Sequence, residues 1–235
     1  MMKTLITSGC SFSECISSHI DTWPRHLARE LADYTHISKA MGSQGNGLIS
    51  RSIIYQVSDT LKTSAPKDIL VGIMWSGVDR YDYYRENPPT MKNIDGWMTN
   101  PTKFILESKG GWLILNDGWR IEEAKNYYVN FHNYVGAMIA TLEHILRVQW
   151  FLKTNNIKYF MSTYTSEVLP DWIKTHVDTQ HLYDQIDFDH FLPVKGEDIW
   201  CREHFESVDH HPSTEQHQAF TEQVIVPFIK DRRYI

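Results

Sequence analysis

The sequence predicts one three-layer α/β/α domain over residues 1–235, a parallel sheet sandwiched between helices. Three observations carry that expectation. Short apolar runs alternate with helical stripes along the chain. The run Asp68-Ile69-Leu70-Val71-Gly72-Ile73-Met74-Trp75 is nearly continuous apolar sequence, as a strand buried on both faces of a parallel sheet requires. No Pro/Gly/Ser-rich linker or charge run divides the chain, which is long enough for one substantial core.

The first strand, Leu5-Ile6-Thr7, runs directly into the turn Ser8-Gly9-Cys10-Ser11-Phe12-Ser13. Asp21-Thr22-Trp23-Pro24 offers a capping side chain and a first-turn proline, after which Trp23, Leu27 and Leu31 recur at helical spacing. Thr35-His36-Ile37-Ser38 reads as a second strand. The turn Gly42-Ser43-Gln44-Gly45-Asn46-Gly47 opens a helix with Ile49, Ile53 and Val57 on one stripe, Ile54 and Leu61 beside it. With the buried third strand the order is βαβαβ. From about Arg80 to Asn126 the rhythm breaks: Pro88-Pro89, Asn100-Pro101, Gly110-Gly111 and Asn116-Asp117-Gly118 punctuate short aromatic runs. This segment is read as an insertion whose aromatic residues cover the mouth of the site, with Trp112 to Trp119 as a hairpin arm. One long helix is expected from roughly Ile121 to Thr154, with Leu142, Ile145, Leu146 and Trp150 on its apolar face. Asn155-Asn156 ends it, and Ile157 to Met161 is a fourth strand. Near the C-terminus Ser213 and Gln216 form a capping box for a helix whose stripe is Phe220, Val224 and Phe228.

Composition narrows the partners. The chain has 23 basic against 29 acidic residues and a pI near 6.0, so there is no basic surplus for holding a nucleic acid through its phosphates. Cys10, Cys15 and Cys201 are an odd number without framework spacing, which favours reduced thiols. The N-terminus lacks the features of a signal peptide and no apolar run reaches membrane-spanning length, so a cytoplasmic protein is expected, with no membrane partner. The eight tryptophans either fill the core or present stacking surfaces to carbohydrate.

In folds of this kind ligands sit beyond the C-terminal ends of the strands, and Ser11 lies at such an end. The far end of the chain carries Asp209-His210-His211-Pro212-Ser213, a base and an orienting carboxylate for a serine nucleophile. Taken together these residues resemble the blocks of the SGNH (GDSL-type) hydrolases, whose order they follow along the whole chain. Gly9-Cys10-Ser11-Phe12 resembles the Gly-Asp-Ser-Leu block, with Cys for Asp and Phe for Leu. Gly42-Ser43-Gln44-Gly45-Asn46 resembles the second block, and Asp209-His210-His211-Pro212 the fourth, one residue shorter than Asp-x-x-His. The third block, normally Gly-x-Asn, reads Trp75-Ser76-Gly77-Val78-Asp79-Arg80 and lacks the asparagine.

The resemblance implies a flavodoxin-like sheet and a serine esterase or carbohydrate O-deacetylase working through an acyl-enzyme. Ser11 is then the nucleophile, His211 the base with His210 as understudy, and Asp209 the orienting group. Oxyanion donors come from Ser11 and from Ser43 or Gly45, with Asn46 or Ser76 standing in for the missing asparagine. The substrate is a small-molecule or glycan ester, and neither cofactor nor metal is required. The pattern is also similar to SGNH-like proteins of tailed bacteriophages, which implies a virion-associated setting with an assembly partner, and an inactive glycan-binding module as the alternative. Two further readings stay open: a metal site among His204, His210, His211 and His217, and Cys10 as a thiol nucleophile.

Overall fold

The computed structural model describes residues 3–14, 20–86, 110–116, 122–208 and 210–235. Its centre is a parallel sheet of four strands, β1 (Lys3–Ser8), β2 (Tyr34–Ser38), β3 (Ile69–Trp75) and β6 (Lys158–Thr163), in the order β2-β1-β3-β6. The register pairs Ile6 with Ile37 on one side and with Val71 on the other, and Ile73 with Met161. The chain steps outward from β1 to β2 and then crosses back to the opposite side of β1, so the switch point lies between β1 and β3, where such folds open a ligand crevice.

Alternate residues of each strand serve opposite helical layers, because successive side chains point to opposite faces. Ile6, Val71, Ile73, Trp75 and Met161 pack against α2 (Asn46–Thr60), through Ile49, Ile53 and Val57, and against α4 (Tyr134–Thr154), through Met138, Leu142 and Ile145. Leu5, Leu70, Met74 and Phe160 meet Trp23 and Leu27 of α1 (Trp23–Glu30) together with Phe220, Ile225 and Ile229. Burying each such side chain contributes about 1.5–3 kcal/mol relative to exposure. Gly72 has to be glycine, since a Cβ there would stand 2.6 Å from Phe160 Cζ and 3.1 Å from Trp23 Cη2.

The chain after β3 forms an antiparallel pair, β4 (Tyr81–Glu86) and β5 (Gly110–Leu115), with Tyr81 opposite Leu115 and Tyr84 opposite Trp112. The expected hairpin arm thus begins earlier than Trp112, and positions 117–121 lie outside the described residues. The single long helix expected after it is two: α3 (Glu122–Asn130) and α4, separated at Phe131-His132-Asn133. Asn133 makes the break, because its side chain accepts the Gly136 N–H at 2.7 Å and starts a new helix. Trp150 is 51% exposed, contrary to expectation. Gln149 takes the inward position instead, donating to the Gln185 carbonyl at 2.9 Å and accepting from the Asp187 N–H at 2.7 Å.

Thr22 stands at the N-cap of α1, but its hydroxyl makes no capping bond and donates to the Glu14 carbonyl. The chain then closes through α5 (Gln180–Tyr183), α6 (Glu197–His204), α7 (Thr214–Phe220), a π turn (Thr221–Ile225) and α8 (Val226–Asp231). The capping box at Ser213 and Gln216 forms in both directions. No helix among the described residues is long and apolar enough to cross a membrane.

Gly72→Ala is expected to cost about 1–3 kcal/mol, because two packed rings must move to admit one methyl group. A urea titration with an unchanged midpoint would contradict this packing.

Candidate active site

Beyond β1 the chain squeezes between its own turn and β3. A Cβ on Gly9 would lie 2.4 Å from Ser13 Oγ and 3.0 Å from the Met74 carbonyl oxygen, so only glycine fits. The turn that follows is closed by the Ser13 N–H donating to Cys10 O at 2.9 Å, and Ser13 Oγ is itself held by the Trp23 indole at 2.8 Å. This geometry sends Cys10 into the interior, where it is 0% exposed, and leaves Ser11 part-buried at the crevice. The buried thiol has no access to a substrate in this conformation.

His211 comes from the other end of the chain to meet Ser11, Nε2 to Oγ at 2.7 Å. With the serine hydroxyl donating, the imidazole is the neutral acceptor that a general base must be. Burial and the nearby His217, Arg80 and His210 hold its pKa below the ordinary value of 6.5, while Asp198 pulls weakly the other way. Phe12 packs on the imidazole with ring centroids 4.9 Å apart. Asp209 lies outside the described residues, and among those described no carboxylate is hydrogen-bonded to the His211 ring. His210 is exposed.

The second turn touches the nucleophile directly: a Cβ on Gly42 would be 4.0 Å from Ser11 Cβ. It is tied down by the Met41 N–H on Gly9 O at 3.2 Å and the Gly42 N–H on Glu14 Oε2 at 2.8 Å. Ser43 takes a left-handed φ of 60°, a conformation that costs a non-glycine residue about 1–3 kcal/mol. Among the described residues its N–H has no hydrogen-bond partner, and neither does that of Ser11.

The other candidate donors are engaged elsewhere. The Gly45 N–H donates to Asp82 Oδ1 at 3.0 Å. The Asn46 amide donates to Ser76 O at 2.9 Å and Thr141 Oγ1 at 3.2 Å, and its Oδ1 accepts the Ser76 N–H at 2.7 Å. Asn46 therefore clamps the end of β3 to α2 and α4. Ser76 Oγ accepts from Arg80 Nη1 at 2.7 Å.

Three groups at or near this site escape sequence reading. Asp82 caps α2 from a distance: the helix starts after Gly45, which has no side chain, and Asp82 accepts the N–H groups of Gly45 and Leu48. Burial pushes its carboxyl up to about 6, against the pull of those N–H groups and Arg80. The only sequence sign of it was a helix start without a capping side chain. Arg80 lies with its guanidinium carbon 5.5 Å from the Tyr164 ring centroid. Burial opposes its charge, but the Cys10 thiol, Tyr164 and Asp79 outweigh that and raise its pKa. The third is a wholly buried pair, His217 Nδ1 on Glu197 Oε1 at 2.6 Å, which no local pattern announced. With His217 bound to Glu197, His211 to Ser11 and His204 to the Trp200 carbonyl, no group of three His, Cys, Asp or Glu among the described residues is placed to hold a metal ion.

Ser11 and His211, paired at the crevice, make a serine–histidine site on a three-layer α/β/α fold. The fold matches that of the crystal structure of TesA with a TM-score of 0.53 at 12% identity, covering 97% of this chain and 99% of that one. A GDSL-like lipase from Parabacteroides merdae aligns more loosely, with a TM-score of 0.39 at 9% identity over 100% of this chain and 97% of that one. No protein-family model matches the sequence. No curated protein matches it either.

Asp82→Ala is expected to lower stability by roughly 2–4 kcal/mol, because two helix N–H groups lose their acceptor. At roughly 2–4 °C of melting temperature per kcal/mol for a chain of this size, the loss is readable by calorimetry, and an unchanged transition would refute the distant cap. The acid limb of kcat/KM for ester hydrolysis is expected to have its midpoint below 6.5, since the base stays neutral to lower pH than a free histidine. A midpoint above that value would contradict the environment described for His211.

Proposed function

We propose that this chain is a serine hydrolase of the SGNH type, cleaving carboxylic esters through an acyl-enzyme on Ser11. The observation that carries the reading is the 2.7 Å contact between Ser11 Oγ and His211 Nε2, made by residues 200 positions apart at the C-terminal end of β1. Such a contact is the nucleophile–base pair that acyl transfer requires.

His211 takes the hydroxyl proton as Ser11 Oγ attacks the ester carbonyl carbon. The charge that develops on the carbonyl oxygen is met by the N–H groups of Ser11 and Ser43, neither of which has a partner among the described residues. Collapse of the tetrahedral intermediate expels the alcohol, to which His211 returns the proton. Water, deprotonated by His211, then releases the acid and restores Ser11. Asp209, next in chain to this loop, is the orienting carboxylate in this reading.

The finer reading is a sugar-borne acyl group. Tyr81 stacks on Tyr127 at 4.2 Å and Trp112 packs edge-on against Tyr84 at 5.3 Å, giving the hairpin against α2 the planar rings that pyranose faces stack on. The expected outcome is fluorophosphonate labelling of the wild-type protein that disappears in Ser11→Ala, with hydrolysis of p-nitrophenyl acetate falling at least about 10³-fold in Ser11→Ala and His211→Ala. Labelling that survives Ser11→Ala, or turnover indifferent to both substitutions, would remove the serine mechanism.

A further inference from the structure

Arg80 is a cation in the wrong place for a solvated surface charge. Its Nε is fully shielded and has no hydrogen-bond acceptor among the described residues. The acceptors that the guanidinium does have are neutral, the Ser76 hydroxyl and the Cys10 thiol, and it lies over the Tyr164 ring. Among the described residues no carboxylate forms an ion pair with it; Asp79 and Asp82 act on it only through space, and the Asp82 oxygens are already taken by the Gly45 and Leu48 N–H groups. Buried charges are ordinarily paired, because desolvating one without a counter-charge is costly.

Its position says where the counter-charge belongs. Ser11 follows β1 and Arg80 follows β3, the two strands that flank the switch point, so they approach the crevice from its opposite sides. A continuous wall of rings joins Arg80 to the base: Arg80 lies over Tyr164, Tyr164 packs on Phe12 with centroids 5.2 Å apart, and Phe12 packs on His211 at 4.9 Å. Arg80 is close enough to act electrostatically on His211. The residue remains part-buried rather than sealed.

We propose that Arg80 is the specificity-determining residue of this site and that it receives a carboxylate carried by the substrate's acyl group, which makes the preferred substrates half-esters of short dicarboxylic acids. The inference rests on the hydrolase reading above. A permanent anion suits a permanent buried cation better than a transient oxyanion does, and the oxyanion already has the Ser11 and Ser43 N–H groups. The planar guanidinium, with donors left over from Ser76, matches a carboxylate in geometry as well as charge.

The test compares p-nitrophenyl hemisuccinate with p-nitrophenyl butyrate, similar in acyl length and different in charge, for wild type, Arg80→Gln and Arg80→Lys. The expected result is a wild-type preference for the hemisuccinate in kcat/KM, and a fall in that preference of about 10- to 100-fold in Arg80→Gln, as loss of a charged hydrogen bond predicts. Arg80→Lys keeps the cation without the planar fork and recovers part of the preference, which also serves if the glutamine variant does not fold. Equal losses on the two esters would overturn the proposal and assign Arg80 to the oxyanion or to structure; so would a wild-type preference for butyrate.

Binding is scored separately in Ser11→Ala. Monoethyl succinate is expected to raise its melting temperature, diethyl succinate not, and Arg80→Gln on that background to abolish the shift. If wild type hydrolyses neither ester and takes no fluorophosphonate label, the hydrolase reading fails while this binding arm still judges Arg80. Absence of the monoethyl succinate shift overturns the anion site.

Discussion

Strand β1 is hydrogen-bonded along both edges, to β2 and to β3, and the rest of the molecule depends on that central place. Its residues have no freedom to slide, because a shift by one position would exchange Leu5 and Ile6 between the two helical layers. The turn leaving β1 inherits this rigidity. Ser11 is thereby fixed against a floor of backbone, with Gly9 pressed to the Met74 carbonyl and the second turn hydrogen-bonded to Gly9 itself. A serine held this way needs no rearrangement to meet His211, and preorganisation of that kind is what a serine nucleophile requires.

The parts legible in sequence were those with local or periodic signatures. The continuous apolar run of β3, the Ile49/Ile53/Val57 stripe and the Ser213–Gln216 capping box each follow from short-range rules, and each is found in the structure. Ser11 and His211 were legible as a pair because each sits on a recognisable turn, although nothing in their spacing could give the distance between them. What failed was periodicity without context. The helix expected from Ile121 to Thr154 ran straight through Phe131-His132-Asn133, but an asparagine able to cap a new helix competes with the old one for the backbone, and here it wins. Trp150 obeyed the stripe in sequence and lost its inward place to Gln149, whose amide found two backbone partners.

Asp82, Arg80 and the Glu197–His217 pair were illegible for a different reason. Each acts on a segment far away in sequence, so its partners become known only once the sheet brings the connections together. Asp82 reaches back 37 residues to cap α2, and thereby ties the second turn of the site to the insertion hairpin. That linkage gives the insertion a role in positioning the chemistry even where it touches no substrate: the hairpin's first strand holds the helix start, and the helix start carries Asn46, which fixes the end of β3.

The final helices solve a related problem for the base. His211 stands on a loop, and loops are mobile unless tied down. Two ties fall immediately after it. The capping box at Ser213 fixes the start of α7, and His217, one turn further on, is hydrogen-bonded to Glu197 of α6 with neither side chain exposed. Burial raises the Glu197 pKa, His217 draws it back down, and Glu197 Oε2 has no partner among the described residues. A buried pair of this kind adds little net stability over a well-packed apolar substitute, but removal of either member alone is strongly destabilising. Its effect is therefore on geometry: α6 and α7 have one mutual position in which the two groups pair. That position also places His211 at Ser11, which couples the burial of a polar pair near His211 to the distance between the two side chains.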